Sequence, residues 1–169
     1  HETPYEMARH ELEATRKVRD LGVNAPEPVE AFSVGDLGVL VLEYLPEFRP
    51  LDDLGSETVA ALAPALFDTL RTIHDAGLAH GDLRAENVLV RDGDLYVIDA
   101  TNVSGDGRES ARSYDLASAL AALEPLVGAS TAVDAALTRY STAELLAARQ
   151  FLDFVAIRPD HDFDAAALN

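Results

Sequence analysis

The sequence predicts an α+β domain that is mainly helical, and three observations predict it. Apolar residues recur at helical spacing near the start of the chain and again from Val59 to Ile73. Short apolar segments flank Gly35-Asp36 and Asp92-Gly93, dipeptides that suit tight hairpin turns. The last third is rich in Ala and Leu. With 169 residues, one core of ordinary size is expected.

Thr3-Pro4-Tyr5-Glu6 has the form of a helix start, with Thr3 as N-cap, Pro4 at the first helical position and Glu6 closing a capping box. The helix is predicted to stop at Gly22. Met7, Ala14, Val18 and Leu21 form its inward stripe, and Glu11 falls on the same stripe, so a carboxylate faces the interior. A Pro-punctuated linker follows. Val29 to Val34 and Leu37 to Leu45 then predict a hairpin whose second strand, almost continuously apolar, should be central. Pro46 and Pro50 stop it. The next helix carries Val59, Leu62, Leu66, Leu70 and Ile73 inward and ends near Gly77; Pro64 inside it predicts a bend or a later start. After HGDLRAENVLV, Asp92-Gly93 turns the chain into LYVID. Ser113 to Val127 and Ala132 to Ile157 are read as helical regions, and RPDHDFDAAALN as an acidic tail.

Composition narrows the function classes. There is no cysteine, which removes disulfides, zinc ribbons and thiolate nucleophiles together. Thirty acids against 13 bases give a net charge of −17, and Lys17 is the single lysine. Such a charge repels phosphate backbones and anionic lipid, so neither direct nucleic-acid contact nor a membrane role is expected. An acidic, lysine-poor surface fits adaptation to high internal salt. A cytoplasmic location is expected.

The chemistry concentrates around the second hairpin. A two-residue turn at Asp92-Gly93 pairs Arg91 with Asp94, Val90 with Leu95, Leu89 with Tyr96, Val88 with Val97 and Asn87 with Ile98. Asp99 then lies beside Asn87, and Asp82 precedes Asn87 by five residues. Three hard oxygen donors converge, the ligand type Mg²⁺ takes when water and phosphates fill the rest of its octahedron.

His80, Gly81, Asp82, Leu83, Asn87 and Asp99 together resemble the catalytic loop and metal-binding strand of the protein-kinase-like superfamily. The resemblance implies that Asp82 orients or deprotonates the attacking hydroxyl, that Asn87 and Asp99 hold Mg²⁺ (or Mn²⁺) on the ATP phosphates, and that Arg84 contacts phosphate. His80 would be a packing residue under the metal loop. Glu11 matches the Glu of the family's αC helix, and Glu43-Tyr44-Leu45 resembles the hinge, which implies nucleotide-binding roles for Glu11, Glu43 and Leu45. Asp115, in YDLASAL, matches the Asp that fastens the catalytic loop. His74 and His161 carry no functional expectation and are read as surface residues.

Only fifteen residues, 100 to 114, separate Asp99 from Asp115, and Ala100-Thr101 stands where a protein kinase has Phe-Gly. The short segment and Gly81 are similar to RIO-type kinases, to the small tRNA-modification-complex kinases and to aminoglycoside and choline phosphotransferases. LGVNAPEPVEAF resembles the first two groups, and the acidic tail, where the tRNA-complex kinases usually have a basic one, favours the RIO type. The expected fold is therefore kinase-like: residues 1–45 as an N-lobe remnant with αC helix, hairpin and hinge, and 46–169 as a mainly helical C-lobe. No glycine-rich phosphate loop and no strand lysine occur in the 169 residues. Lys17 lies about 240° around the helix from Glu11 and cannot substitute. An unpaired inward carboxylate would be costly or would take up a proton, so the partner of Glu11 is expected on strands before His1. The chain by itself is expected to be inactive without those strands.

The leading expectation is an ATP- and Mg-dependent phosphotransferase, a RIO-like serine/threonine kinase or ATPase. The alternatives are a non-catalytic kinase-like regulatory module and a small-molecule kinase of the aminoglycoside or choline type. The phosphoacceptor, protein or small molecule, is left open. The charge predicts that the melting temperature rises between 0.1 M and 2 M KCl, because salt screens self-repulsion; an unchanged or falling value in calorimetry would contradict that.

Overall fold

The computed structural model describes residues 1–99, 109–156 and 165–168. Helix α1, Pro4–Asp20, begins as its capping box requires: the Thr3 hydroxyl accepts the Glu6 N–H at 3.2 Å and the Glu6 carboxylate accepts the Thr3 N–H at 2.8 Å. It ends where Gly22, at φ 83°, donates its N–H to the Arg19 carbonyl. Its buried flank runs through Ala8, Leu12, Thr15 and Val18. Met7, expected inward, is 59% exposed, because the buried flank turns away from it in the first turn.

Strands β1, Pro28–Val34, and β2, Leu37–Leu42, form the first antiparallel hairpin, with Val34 opposite Leu37. Helix α1 packs along both. Gly38 is the contact point: a Cβ there would lie 1.9 Å from the Pro4 carbonyl oxygen. The expectation that β2 is central is not met. Among the described residues β2 pairs with β1 alone, and its residues are half-buried or exposed. A strand buried on both faces needs two layers of neighbours, and here α1 supplies one.

The second sheet has the order β3-β4-β5, with β3 Arg49–Pro50, β4 Val88–Arg91 and β5 Asp94–Val97. The β4–β5 register is the predicted one, Val88 opposite Val97 through Arg91 opposite Asp94. Strand β3 was not foreseen. Its two residues pair with Val90 and Leu89, and Phe48 beside it meets Tyr96 edge-on at 4.7 Å.

Helix α2, Ser56–Asp75, is one unbroken run through Pro64, with neither a late start nor a break. Pro64 is exposed, so the backbone bond it removes lies on the solvent side. Val59, Leu66, Phe67, Leu70 and Ile73 are buried, and Leu62 is partly so. Helix α3, Glu109–Val127, begins earlier than predicted and is buried on every side from Asp115 to Leu123. Its alanines let neighbouring helices approach closely.

The predicted second helical region is three helices: α4 Ala129–Ala136, α5 Thr142–Arg149 and α6 Leu152–Ala156, followed by α7 Ala165–Leu168. The break before α5 has a sequence signal, Ser141 and Glu144, which form a second capping box. His161, Ala100 and Thr101 lie outside the described residues.

Two apolar cores result. The larger joins α2, β4, β5, α3 and the helices after it. The smaller joins Ala14, Val18, Val23 and Ala25 to Ile73, Leu78 and Val97, and the Val97 N–H donates to the Asn24 carbonyl at 3.0 Å. This smaller core docks α1 against the end of β5. No described helix is long and apolar enough to cross a membrane.

Gly38→Ala should force α1 off β2, since both clashing atoms nearest the new methyl belong to the Pro4 backbone. We expect a loss of about 2 kcal/mol or more, roughly 5 °C in a thermal melt. Gly55→Ser, at the N-cap of α2 where nothing lies within 4 Å, should show no loss.

Candidate active site

The loop from Leu78 to Asn87 enters from the C-terminus of α2. There Gly77, at φ 77°, lets the Leu78 N–H reach back to the Ile73 carbonyl at 3.1 Å. The loop is then held from below. Asp115, fully buried on α3, accepts the His80 N–H at 2.7 Å on one carboxylate oxygen and the Gly81 N–H at 2.8 Å on the other. Gly81 is at φ 88°, a conformation in which a side chain would be strained.

His80 is itself fully buried and spans two elements. Its Nδ1 accepts the Asp82 N–H at 3.2 Å, and its Nε2 lies 3.0 Å from the Ile98 carbonyl. Burial pushes its pKa down against the pull of Asp115, so the ring is a neutral spacer between the loop and the strand end that precedes Asp99. It packs as the sequence reading expects.

Asp82 and Asn87 are brought into contact. The Asn87 amide nitrogen donates to the Asp82 carbonyl at 2.8 Å and to its carboxylate at 3.3 Å, and Asn87 is 2% exposed. The amide oxygen is thereby the end left for a cation. The Ile98 N–H donates to the Asn87 carbonyl at 3.0 Å, one residue beyond the β4–β5 ladder, which brings Asp99 to the same end of the hairpin. Asp99 is exposed and at φ 55°. Arg84, expected on phosphate, lies across both oxygens of Asp82 at 3.1 Å each and also pairs with Glu86. Glu43 and Leu45 lie in the segment after β2, where the Glu43 N–H donates to the Glu27 carbonyl at 2.8 Å.

Glu11 reaches Asp99 from α1. Burial, then a hydrogen bond to Asp99, then the Asp99 charge raise its pKa to about 7. The neighbour that the structure brings to this inward carboxylate is a second acid, which disfavours its charged form. Among the described residues no group of three His, Asp or Glu is placed to hold a metal. The donor set here is instead one carboxylate and one amide oxygen, hard ligands that fit Mg²⁺ or Mn²⁺ when phosphates complete the shell.

One residue was misjudged. His74, expected at the surface, is 2% exposed, with Nε2 2.9 Å from an Asp115 oxygen and Nδ1 2.7 Å from the Tyr140 hydroxyl. The signal was there, since His74 continues the Leu66–Leu70 stripe at the next four-residue step.

A family model described as "RIO domain" matches residues 2–114. Over 114 residues the chain is 28% identical to the KEOPS complex subunit Bud32 of Pyrococcus abyssi, covering 66% of this chain and 51% of that one. It is 30% identical over 95 residues to the RIO-type serine/threonine-protein kinase Rio1 of Haloferax volcanii, covering 54% and 31%. A probable bifunctional tRNA threonylcarbamoyladenosine biosynthesis protein of Haloquadratum walsbyi is 35% identical over 94 residues, covering 56% and 16%. The chain thus spans about half, or less, of the length of these curated relatives. Among solved structures, a Neurospora crassa PAN3 pseudokinase mutant shares the fold, with a TM-score of 0.57 at 16% identity over 99% of this chain and 49% of that one.

The Glu11–Asp99 pair generates a pH test. A carboxyl whose folded pKa is raised from 4.5 to about 7 carries no penalty when both states are protonated, and a growing one as pH rises between those values. Glu11→Gln, which cannot ionise and keeps a donor for Asp99, should melt above the parent chain at pH 8 and level with it at pH 4. A difference independent of pH would contradict the raised pKa of Glu11.

Proposed function

The chain belongs to the RIO domain family and has a protein-kinase-like fold, and on that footing we propose that it is the catalytic part of an ATP- and Mg-dependent phosphotransferase, a RIO-like serine/threonine kinase or ATPase. The observation that carries this reading is the contact of Asp82 with the Asn87 amide at the open end of a hairpin that also ends in Asp99. In this reading residues 1–45 belong to an N-lobe and 46–169 to the C-lobe, and the two flank the nucleotide site. Glu11, Glu43 and Leu45 serve that site from the N-lobe side.

Asn87, through its amide oxygen, and Asp99 would hold Mg²⁺ or Mn²⁺; the bound cation neutralises charge on the ATP phosphates. The protein's own contribution is position. Asp115 and His80 hold the loop rigid from two sides, and Asp82 faces the acceptor hydroxyl, aligning it and accepting its proton. Because Arg84 occupies both Asp82 oxygens, the acceptor must share that carboxylate with Arg84 or displace it toward phosphate.

A second reading, a non-catalytic kinase-like regulatory module, is favoured by one feature: Arg84 lies across both oxygens of the carboxylate that would take the acceptor's proton. The protein-level setting also divides, since the relatives named above include both a serine/threonine kinase and a subunit of a tRNA-modification complex.

The deciding experiment uses the full-length protein with Mg-ATP and follows phosphate release and transfer. Asp82→Ala should lower kcat by about 10²-fold or more with a small change in the KM for ATP, and Asp99→Asn should raise the Mg²⁺ concentration needed. Equal turnover in Asp82→Ala, or nucleotide binding with no turnover in either protein, would favour the regulatory module.

A further inference from the structure

Tyr140 lies in the turn between α4 and α5, beyond the stretch that the family model matches. It is 4% exposed, although it stands just before an exposed capping box. Four contacts fix it. Its N–H donates to the Ala136 carbonyl at 2.9 Å, its ring meets Phe67 edge-on, and the Arg71 guanidinium stacks over it 5.2 Å from the centroid. Arg71 is held in turn by Asp75 and by Glu144, each at 2.9 Å. The fourth contact is the hydroxyl, 2.7 Å from His74 Nδ1.

We propose that Tyr140 is a positioning residue for the loop that carries Asp82, acting through His74 and Asp115. The Asp115 carboxylate only accepts, so the ring nitrogen 2.9 Å from it, Nε2, carries the proton. The other nitrogen, Nδ1, then accepts from the Tyr140 hydroxyl. Asp115 then receives three donors: His74 Nε2–H, the His80 N–H and the Gly81 N–H. Without the hydroxyl, Nδ1 is a buried acceptor with no donor. The ring can regain a partner only by turning in its seat, which draws Nε2–H away from Asp115. The carboxylate is then less firmly placed, and the two backbone N–H groups of the loop are held less tightly. A segment outside the matched domain thus sets the geometry of the loop before Asp82. The role is called positioning on the strength of the phosphotransferase reading, but the contacts stand without it.

The test needs no turnover. In Tyr140→Phe, which keeps the ring and its contacts with Phe67 and Arg71, the His74 Nδ1 resonance should move toward that of an acceptor without a hydrogen bond while Nε2 stays protonated. Amide exchange at His80 and Gly81 should speed up by about tenfold relative to Val90 and Leu95 in the β4–β5 hairpin. In a His74→Gln background the same change at Tyr140 should add nothing, because its route is gone. An unchanged His74 Nδ1 resonance, or exchange at His80 and Gly81 rising only in step with the hairpin, would overturn the proposal, as would an additive effect in the double variant. If His74→Gln does not fold, the comparison of the parent with Tyr140→Phe decides alone. A chain that shows the exchange effect yet transfers no phosphate refutes the enzymatic reading and leaves this one standing.

Discussion

The structure depends on one buried carboxylate. Asp115 sits inside α3, a helix with no solvent-facing side over nine consecutive residues, and its charge is offset there only by hydrogen bonds. Hydrogen bonds to a buried charged group are worth about 1.5–3 kcal/mol each, and leaving such a group without them costs more than any one of them returns. The chain therefore cannot relax the segment His80-Gly81 without stranding Asp115. That coupling turns a stretch with little regular structure into a fixed platform, and the side chains of Asp82 and Asn87 inherit its rigidity. His80 adds a second tie from the loop to the strand end at Ile98.

A second constraint acts from the other side. The smaller apolar core draws α1 onto Ile73, Leu78 and Val97, so a helix near the start of the chain is seated against the end of β5. Burying a few aliphatic side chains there, about 1.5–3 kcal/mol each, is enough to carry one unfavourable polar contact. That contact is Glu11 against Asp99. The pair shows how the same apolar docking that builds the fold also brings two acids together, which raises the pKa of Glu11.

Local sequence rules account for much of this architecture. Thr3 with Glu6 starts α1, Asp92-Gly93 sets the register of β4 and β5 residue by residue, and Asn87 falls beside Ile98 as that register requires. These features were legible because each rests on a few neighbouring residues whose geometry is nearly independent of the rest of the chain. The misreadings share the opposite property. Met7 and β2 were placed by periodicity and apolarity, yet how deeply a face is buried depends on what lies opposite it. Ser141 and Glu144 were a readable capping box that the Ala/Leu-rich context concealed.

By itself the sequence determined the local elements, the hairpin that ends in Asn87 and Asp99, and the family to which the pattern HGDLRAEN belongs. Only the tertiary structure decided which groups answer one another: Arg84 with Asp82, Glu11 with Asp99, and Tyr140 with His74 and Asp115. The physical reason is distance along the chain. Hydrogen bonds across 41 and 66 residues arise from helix packing, and helix packing is settled by the summed burial of many side chains rather than by any short motif.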